Sequence, residues 1–182
     1  TEYRLDNRGN TAMQIGIAGD TTKYLYDAMD NQIMSINAMG DTAKITYNVF
    51  NKTATQTDAL GNVTVFEYDL FGQLSRTIAP DGTAVRKQYD SQGNVTHSID
   101  EVGRVTQFEY DHENRVVRTI ANDGFSTRVE YDAVGRRAAS IDANGNRTEY
   151  EYDAAGNNVL VRDASGNVTT YVYDAANRRT AM

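Results

Sequence analysis

Cysteine is absent from the 182-residue chain, so a disulfide framework, a thiolate metal site and a cysteine nucleophile are all excluded. Tryptophan is also absent, and proline occurs once, at Pro80, inside a turn. Only two histidines are present, His97 and His112. They fall at different places in the repeat described below, so they are expected to be surface residues rather than catalytic or metal-binding ones. No apolar run approaches the ~20 residues that cross a bilayer, and no signal peptide is visible, so this segment is not expected to insert into a membrane. There is no glycine-rich phosphate loop before a helix and no nucleophile–base constellation. The chain is therefore not expected to be an enzyme, and no catalytic, cofactor or metal residue is assigned. Basic residues are outnumbered 18 to 25, giving a net charge of -7. Phosphate binding needs clustered Lys and Arg, and only short pairs occur here, such as Arg136-Arg137 and Arg178-Arg179, so a nucleic-acid partner is not expected.

What is present is periodic. Tyr stands at 26, 47, 68, 89, 110, 131, 152 and 173, a constant step of 21, and Leu5 holds the same place one step earlier. The next residue is Asp or Asn every time. Glycine keeps the same step at Gly19, Gly40, Gly61, Gly82, Gly103, Gly124, Gly145 and Gly166. Four residues after each Tyr comes Gly9, Asp30, Asn51, Gly72, Gly93, Asn114, Gly135, Gly156 or Asn177, the series starting from Leu5. Only residues that tolerate positive φ occupy that place, so a left-handed backbone is expected there. Each unit thus holds two turns, Asp-x-x-Gly after the Tyr and a near copy about ten residues later. An Asp that opens a type I turn bonds its own backbone, and a closing αL residue completes a bulged hairpin.

The segments between turns have strand length and strand alternation. Thr169, Tyr171 and Tyr173 share one face; Val168, Thr170 and Val172 share the other. The partner strand carries Ile at 15, 36, 78, 99, 120 and 141. Nothing keeps a helical period, so the fold class is all-β. Two assemblies fit: tandem antiparallel hairpins continuing into a curled sheet, or coils of a parallel β-helix. Frequent inner Thr, Tyr hydroxyls that need partners and two near-equal tight turns favour hairpins. Cross-strand aromatic and β-branched pairs contribute roughly 0.2–1 kcal/mol each, so stability is expected from stacked neighbours rather than from any single repeat. Residues 1–182 form one array of about eight repeats, partial at both ends, and the chain is expected to be a fragment of a larger protein. Strand edges at both ends invite pairing with another chain.

Tyr131-Asp132-Ala133-Val134-Gly135-Arg136 and Tyr152-Asp153-Ala154-Ala155-Gly156-Asn157 resemble the YD repeats of Rhs proteins, and the resemblance covers essentially the whole chain. That family includes bacterial Rhs polymorphic toxins, the BC shell of Tc toxins, wall-associated proteins and teneurins. The resemblance implies β-hairpins that spiral into a hollow shell, with neighbouring repeats and an enclosed C-terminal toxin as partners. It also implies a secreted or cell-surface location, in a bacterium. The Pro-rich, Asp-Pro-containing self-cleavage region of such toxins has no counterpart in this sequence. An adhesion or carbohydrate-binding role, carried by rows of Tyr such as Tyr150 and Tyr171, is the alternative.

Two patterns invite other chemistry. Asp142, Asn144, Asn146 and Glu149 sketch part of a calcium loop, but turn capping around Gly145 explains all except Glu149. Asn51, Asn62, Asn94, Asn146 and Asn167 head Asn-x-Ser/Thr sequons, which arise wherever a turn Asn meets a strand Thr.

Overall fold

Strands form wherever β-branched and aromatic residues alternate between Gly-, Asn- and Asp-bearing turns, and no helix forms. The computed structural model describes residues 1–182, and its backbone contacts group them into two units, Thr1–Lys87 with Asp100–Val102, and Gln88–Ile99 with Gly103–Met182. The first unit holds β1 (Glu2–Leu5), β2 (Thr11–Ile15), β3 (Thr21–Tyr26), β4 (Gln32–Ile36), β5 (Thr42–Tyr47), β6 (Thr53–Thr57), β7 (Val63–Tyr68), β8 (Leu74–Ile78) and most of β9 (Ala84–Tyr89). The second holds β10 (Val95–Ile99), β11 (Val105–Tyr110), β12 (Val116–Ile120), β13 (Ser126–Tyr131), β14 (Arg137–Ile141), β15 (Arg147–Tyr152), β16 (Asn158–Arg162), β17 (Val168–Thr170), β18 (Val172–Tyr173) and β19 (Arg179–Ala181).

Within the first unit each strand pairs antiparallel with the next, from β1–β2 through β8–β9. Within the second the same holds from β10–β11 through β16–β17, and β18–β19 form a hairpin of their own. Sequential antiparallel pairing decides for tandem hairpins; a β-helix would pair its strands in parallel. One detail departs from the sequence reading. The last aromatic strand is interrupted at Tyr171, although the Tyr171 N–H still donates to Val159 O at 2.9 Å.

The turns carry the expected backbone. All nine residues at the αL place, from Gly9 to Asn177, have φ between 57° and 93°. The second glycine series, Gly19 to Gly166, has φ between 84° and 88°. The turns close with two backbone bonds, as where Gly166 N donates to Asp163 O (3.0 Å) and Asp163 N donates to Asn167 O (2.9 Å). The Asp163 carboxylate then accepts the N–H of Ser165 and of Asn167, both at 2.9 Å. Two turns open on Ala, at Ala79 and Ala121. In these the carboxylate moves two places along: Asp81 accepts Thr83 N at 2.9 Å and Asp123 accepts Phe125 N at 3.1 Å. At Gly145 a Cβ would meet nothing within 4 Å, so positive φ alone selects glycine there. Gly145→Val is therefore expected to cost roughly 1 kcal/mol in denaturant unfolding, and Ala143→Val distinctly less. Equal costs would refute the assignment.

Directly opposed residues of an antiparallel ladder point to the same side. Tyr24 with Ser35 therefore marks a tyrosine face, and Lys23 with Ile36 and Leu25 with Met34 mark an isoleucine face. Neither face is covered by a second layer of secondary structure within its unit. Ala139 is the only fully buried hydrophobic residue. It stands directly between Glu130 and Glu149, which Arg147 ties together at 2.6 and 3.1 Å. The chain exposes 12045 Å², whereas a compact globular chain of this size exposes about 8,800 Å². Most domains bury a sheet face against another layer; here stability comes from the ladder and from contacts between hairpins.

Candidate functional site

The repeated joint between successive hairpins is the one site the sequence builds over and over. Strands of adjacent hairpins pair over only three positions, as in Arg118 with Arg128, Thr119 with Thr127 and Ile120 with Ser126. Toward the Tyr-Asp turn the ladder stops, which leaves strand-opening carbonyls without ladder partners. The repeat tyrosine supplies the missing donor. Tyr26 OH donates to Thr11 O (3.0 Å), Tyr47 to Gln32 O (3.0 Å), Tyr68 to Thr53 O (2.9 Å), Tyr110 to Val95 O (2.8 Å), Tyr131 to Val116 O (3.1 Å) and Tyr152 to Arg137 O (3.0 Å). Each bond reaches 15 residues back, into the preceding hairpin. Burial, and then the Asp6 carboxylate, push the Tyr26 hydroxyl above its ordinary value, so it stays a donor. Tyr89 and Tyr173 close β9 and β18 at the same repeat place.

A second set of bonds links each Tyr-Asp turn to the next. Asn10 donates its amide to Asp30, Asn31 to Asn51, Asn94 to Asn114 and Asn157 to Asn177, at 2.5–2.9 Å. Where the donor position is Lys or Arg, the side chain crosses the next turn instead. Lys52 reaches Gly72 O, and Arg136 reaches Asp153 O at 3.1 Å. Arg115 and Arg136 also stack on Tyr131 and Tyr152, at 4.4 and 4.7 Å from the ring centroids. A Cβ at Gly72 would lie 2.8 Å from Lys52 Nζ, and one at Gly135 would lie 3.1 Å from Arg115. Long crossing side chains are thus matched with glycine in the next turn, with close approach at Gly72 and Gly135 but open space at Gly156, and Asn is matched with Asn or Asp. The sequence obeys this in all eight successive pairs, Gln73 with Gly93 included.

Asp27, Asp58, Asp90, Asp142, Asp153 and Asp163 are all held below the usual carboxylate value, first by the amide of the Asn four residues on and then by backbone N–H groups. A depressed folded-state value means stability that is present above the unfolded-state value and lost as pH falls through the folded one. The melting temperature is therefore expected to be level from neutral pH to about pH 5 and to fall below about pH 4. Circular-dichroism melts across that range check this; a rise on acidification would contradict it.

The remaining candidates are spent on the turns and strands. Asp142 accepts Asn144 N (2.9 Å), Asn146 N (2.9 Å) and Asn146 Nδ2 (2.8 Å), while Glu149 pairs with Arg147 and Arg162. The sequon amides of Asn62, Asn94, Asn146 and Asn167 donate to their own turn Asp. His97 lies in β10 and His112 in the turn after β11. The Tyr150 hydroxyl is bonded to Ser140 at 3.1 Å. What the residue-by-residue reading missed lies on the turn tips of the first unit. Met29, Val49, Phe50, Leu70 and Phe71 are 74–102% exposed there.

The RHS Repeat family matches residues 47–84, 89–127, 131–157 and 158–182. The chain belongs to the RHS repeat family. Among solved structures it is similar to TcdB2-TccC3, with a TM-score of 0.80 at 17% identity over 97% of this chain and 11% of that one. TcdB2-TccC3 without its hypervariable C-terminal region gives 0.61 at 16% identity, over 97% and 12%. The Photorhabdus luminescens Tc holotoxin pore gives 0.56 at 13% identity, over 97% and 12%. The RHS chain thus spans about an eighth of these structures or less, and identities this low establish the shared all-β fold alone. No curated protein sequence matches it.

Proposed function

We propose that this RHS repeat segment is wall material of a hollow shell that encloses a C-terminal toxin or other cargo. The observation that carries the proposal is a sheet without a second layer in either unit, in which Ala139 alone is a buried hydrophobic. Such a sheet is a partition rather than a pocket. Its similarity to TcdB2-TccC3 and to a Tc holotoxin supports the same reading. The repeat Tyr and Gly positions act as structural joints, and residues 1–182 serve as one array. The partners are neighbouring repeats and the enclosed cargo. The segment itself is non-catalytic, and the protein acts outside the cell or at its surface, in a bacterium.

The test uses the protein that contains this segment. Its C-terminal domain, followed by limited proteolysis, is expected to resist digestion until the repeats are unfolded by denaturant. Digestion at the same rate with the repeats folded or unfolded would overturn the shell reading. Retention on a glycan array, lost on Tyr171→Ala, would replace it with an adhesion role.

A further inference from the structure

We propose that the isoleucine face binds an acidic polypeptide segment, whose carboxylates are held between Arg118 and Arg128 in one unit and between Arg76 and Arg86 in the other.

The register makes the case. Arg118 stands directly opposite Arg128, and Arg76 directly opposite Arg86. Like charges in direct opposition destabilise a sheet, yet the arrangement occurs twice. Only one arginine of each pair has an ion pair: Glu109 meets Arg118 at 3.2 Å and Glu67 meets Arg76 at 3.3 Å, while Glu130, beside Arg128, is taken by Arg147. The guanidinium groups of Arg86 and Arg128 are exposed and take part in no ion pair or hydrogen bond. The Nε atoms of Arg76 and Arg118 are buried and also lack a partner. Arg115, Arg118 and Arg128 line an open cleft of about 470 Å³ together with Glu109, Asp111 and Glu130, of which Arg128 alone has no ion pair.

The pattern extends along the face. Lys23 and Lys44 occupy the same repeat place as Arg86 and Arg128, are likewise exposed, and likewise lack ion pairs. A carboxylate set between two guanidinium groups accepts charge-assisted bonds from both and turns their repulsion into attraction. Equivalent positions in adjacent repeats are two strands apart, roughly 9.5 Å. A polyproline-II chain returns to the same side every three residues, about 9.3 Å. An extended acidic segment lying across the strands therefore meets Lys23 and Lys44 in successive repeats of the first unit, whereas Val65, Gln107 and Glu149 interrupt the series elsewhere. The inference holds whichever way the face looks in a shell, so its failure and that of the shell reading are independent.

The experiment is fluorescence anisotropy of the chain with labelled oligoglutamate at low salt, with oligoglutamine and oligothymidylate as comparisons. Oligoglutamate is expected to bind, more weakly as salt rises. The double change Arg118→Gln with Arg128→Gln, and its counterpart Arg76→Gln with Arg86→Gln, should each weaken binding roughly tenfold. Arg118→Lys with Arg128→Lys should keep part of it, and Arg178→Gln, in a turn, should change nothing. Arg128→Gln should melt no lower than the parent, since that side chain has no partner to lose. Absence of binding, equal binding by the glutamine variants, tighter binding of oligothymidylate, or a lowered melting temperature for Arg128→Gln would overturn the proposal.

Discussion

Tyr131→Ala is expected to destabilise the chain by about 2–3 kcal/mol, and Tyr131→Phe by about 1 kcal/mol. The difference between the two follows from what each removes. Phenylalanine keeps the half-buried ring and its contact with the Arg115 guanidinium, 4.4 Å from the centroid. It deletes only the hydroxyl that reaches Val116 O at 3.1 Å. That carbonyl lies where β12 and β13 have ceased to pair, so no strand neighbour replaces the lost donor. Alanine removes the ring as well and opens the joint between two hairpins. Because neither unit has a core, no other packing compensates. Urea unfolding of the two variants beside the parent measures both values. A Tyr131→Phe variant as stable as the parent would show that water satisfies Val116 O and that the hydroxyl bridge is not needed. A Tyr131→Ala cost near 1 kcal/mol would show that the ring contributes little beyond its hydroxyl.

The same bridge shows where the sequence was informative and where it stopped. The 21-residue step, the αL places and the Asp turn openers were legible, because positive φ and turn capping filter residue types locally. Gly93, Asn114 and Gly135 announce their backbone without any tertiary information. The acceptor of the Tyr hydroxyl was not legible. It is a main-chain carbonyl, and main-chain atoms leave no mark on composition. The bridge depends on where the ladder between hairpins ends, which is a property of twist and register rather than of residue type. The shifts at Ala79 and Ala121 were missed for a different reason. Asp81 and Asp123 still cap their turns, but from the third place, so a template anchored on the first place passes over them. The Arg118–Arg128 opposition needed the register itself, since ten residues separate them in sequence.

One rule lay open in the sequence and was found only through the structure: the residue that closes one Tyr-Asp turn dictates the αL residue of the next. It gives a sharp expectation for Asn94 and Asn114. Asn94 donates its amide to Asp90 at 3.0 Å and to Asn114 at 2.7 Å. Asn94→Arg alone can keep the bond to Asp90 through its Nε, as Arg115 does to Asp111 at 2.8 Å, but it loses the bond to Asn114 and drives a long side chain across the Asn114 side chain, so it is expected to cost about 1–2 kcal/mol. Asn114→Gly alone removes one acceptor and keeps the turn, for about 1 kcal/mol. The double variant reproduces the Arg115–Gly135 and Arg136–Gly156 joints. There the guanidinium crosses a turn that lacks Cβ and stacks on the following tyrosine, which would be Tyr110. It is expected to be more stable than the sum of the single changes by at least about 1 kcal/mol. A double-mutant cycle in urea measures this coupling. Additivity within about 0.3 kcal/mol would mean that the eight matched pairs arise from turn preferences alone. Coupling of the expected sign would mean that each turn selects its neighbour's sequence, so that the register of one hairpin on the next is enforced repeat by repeat.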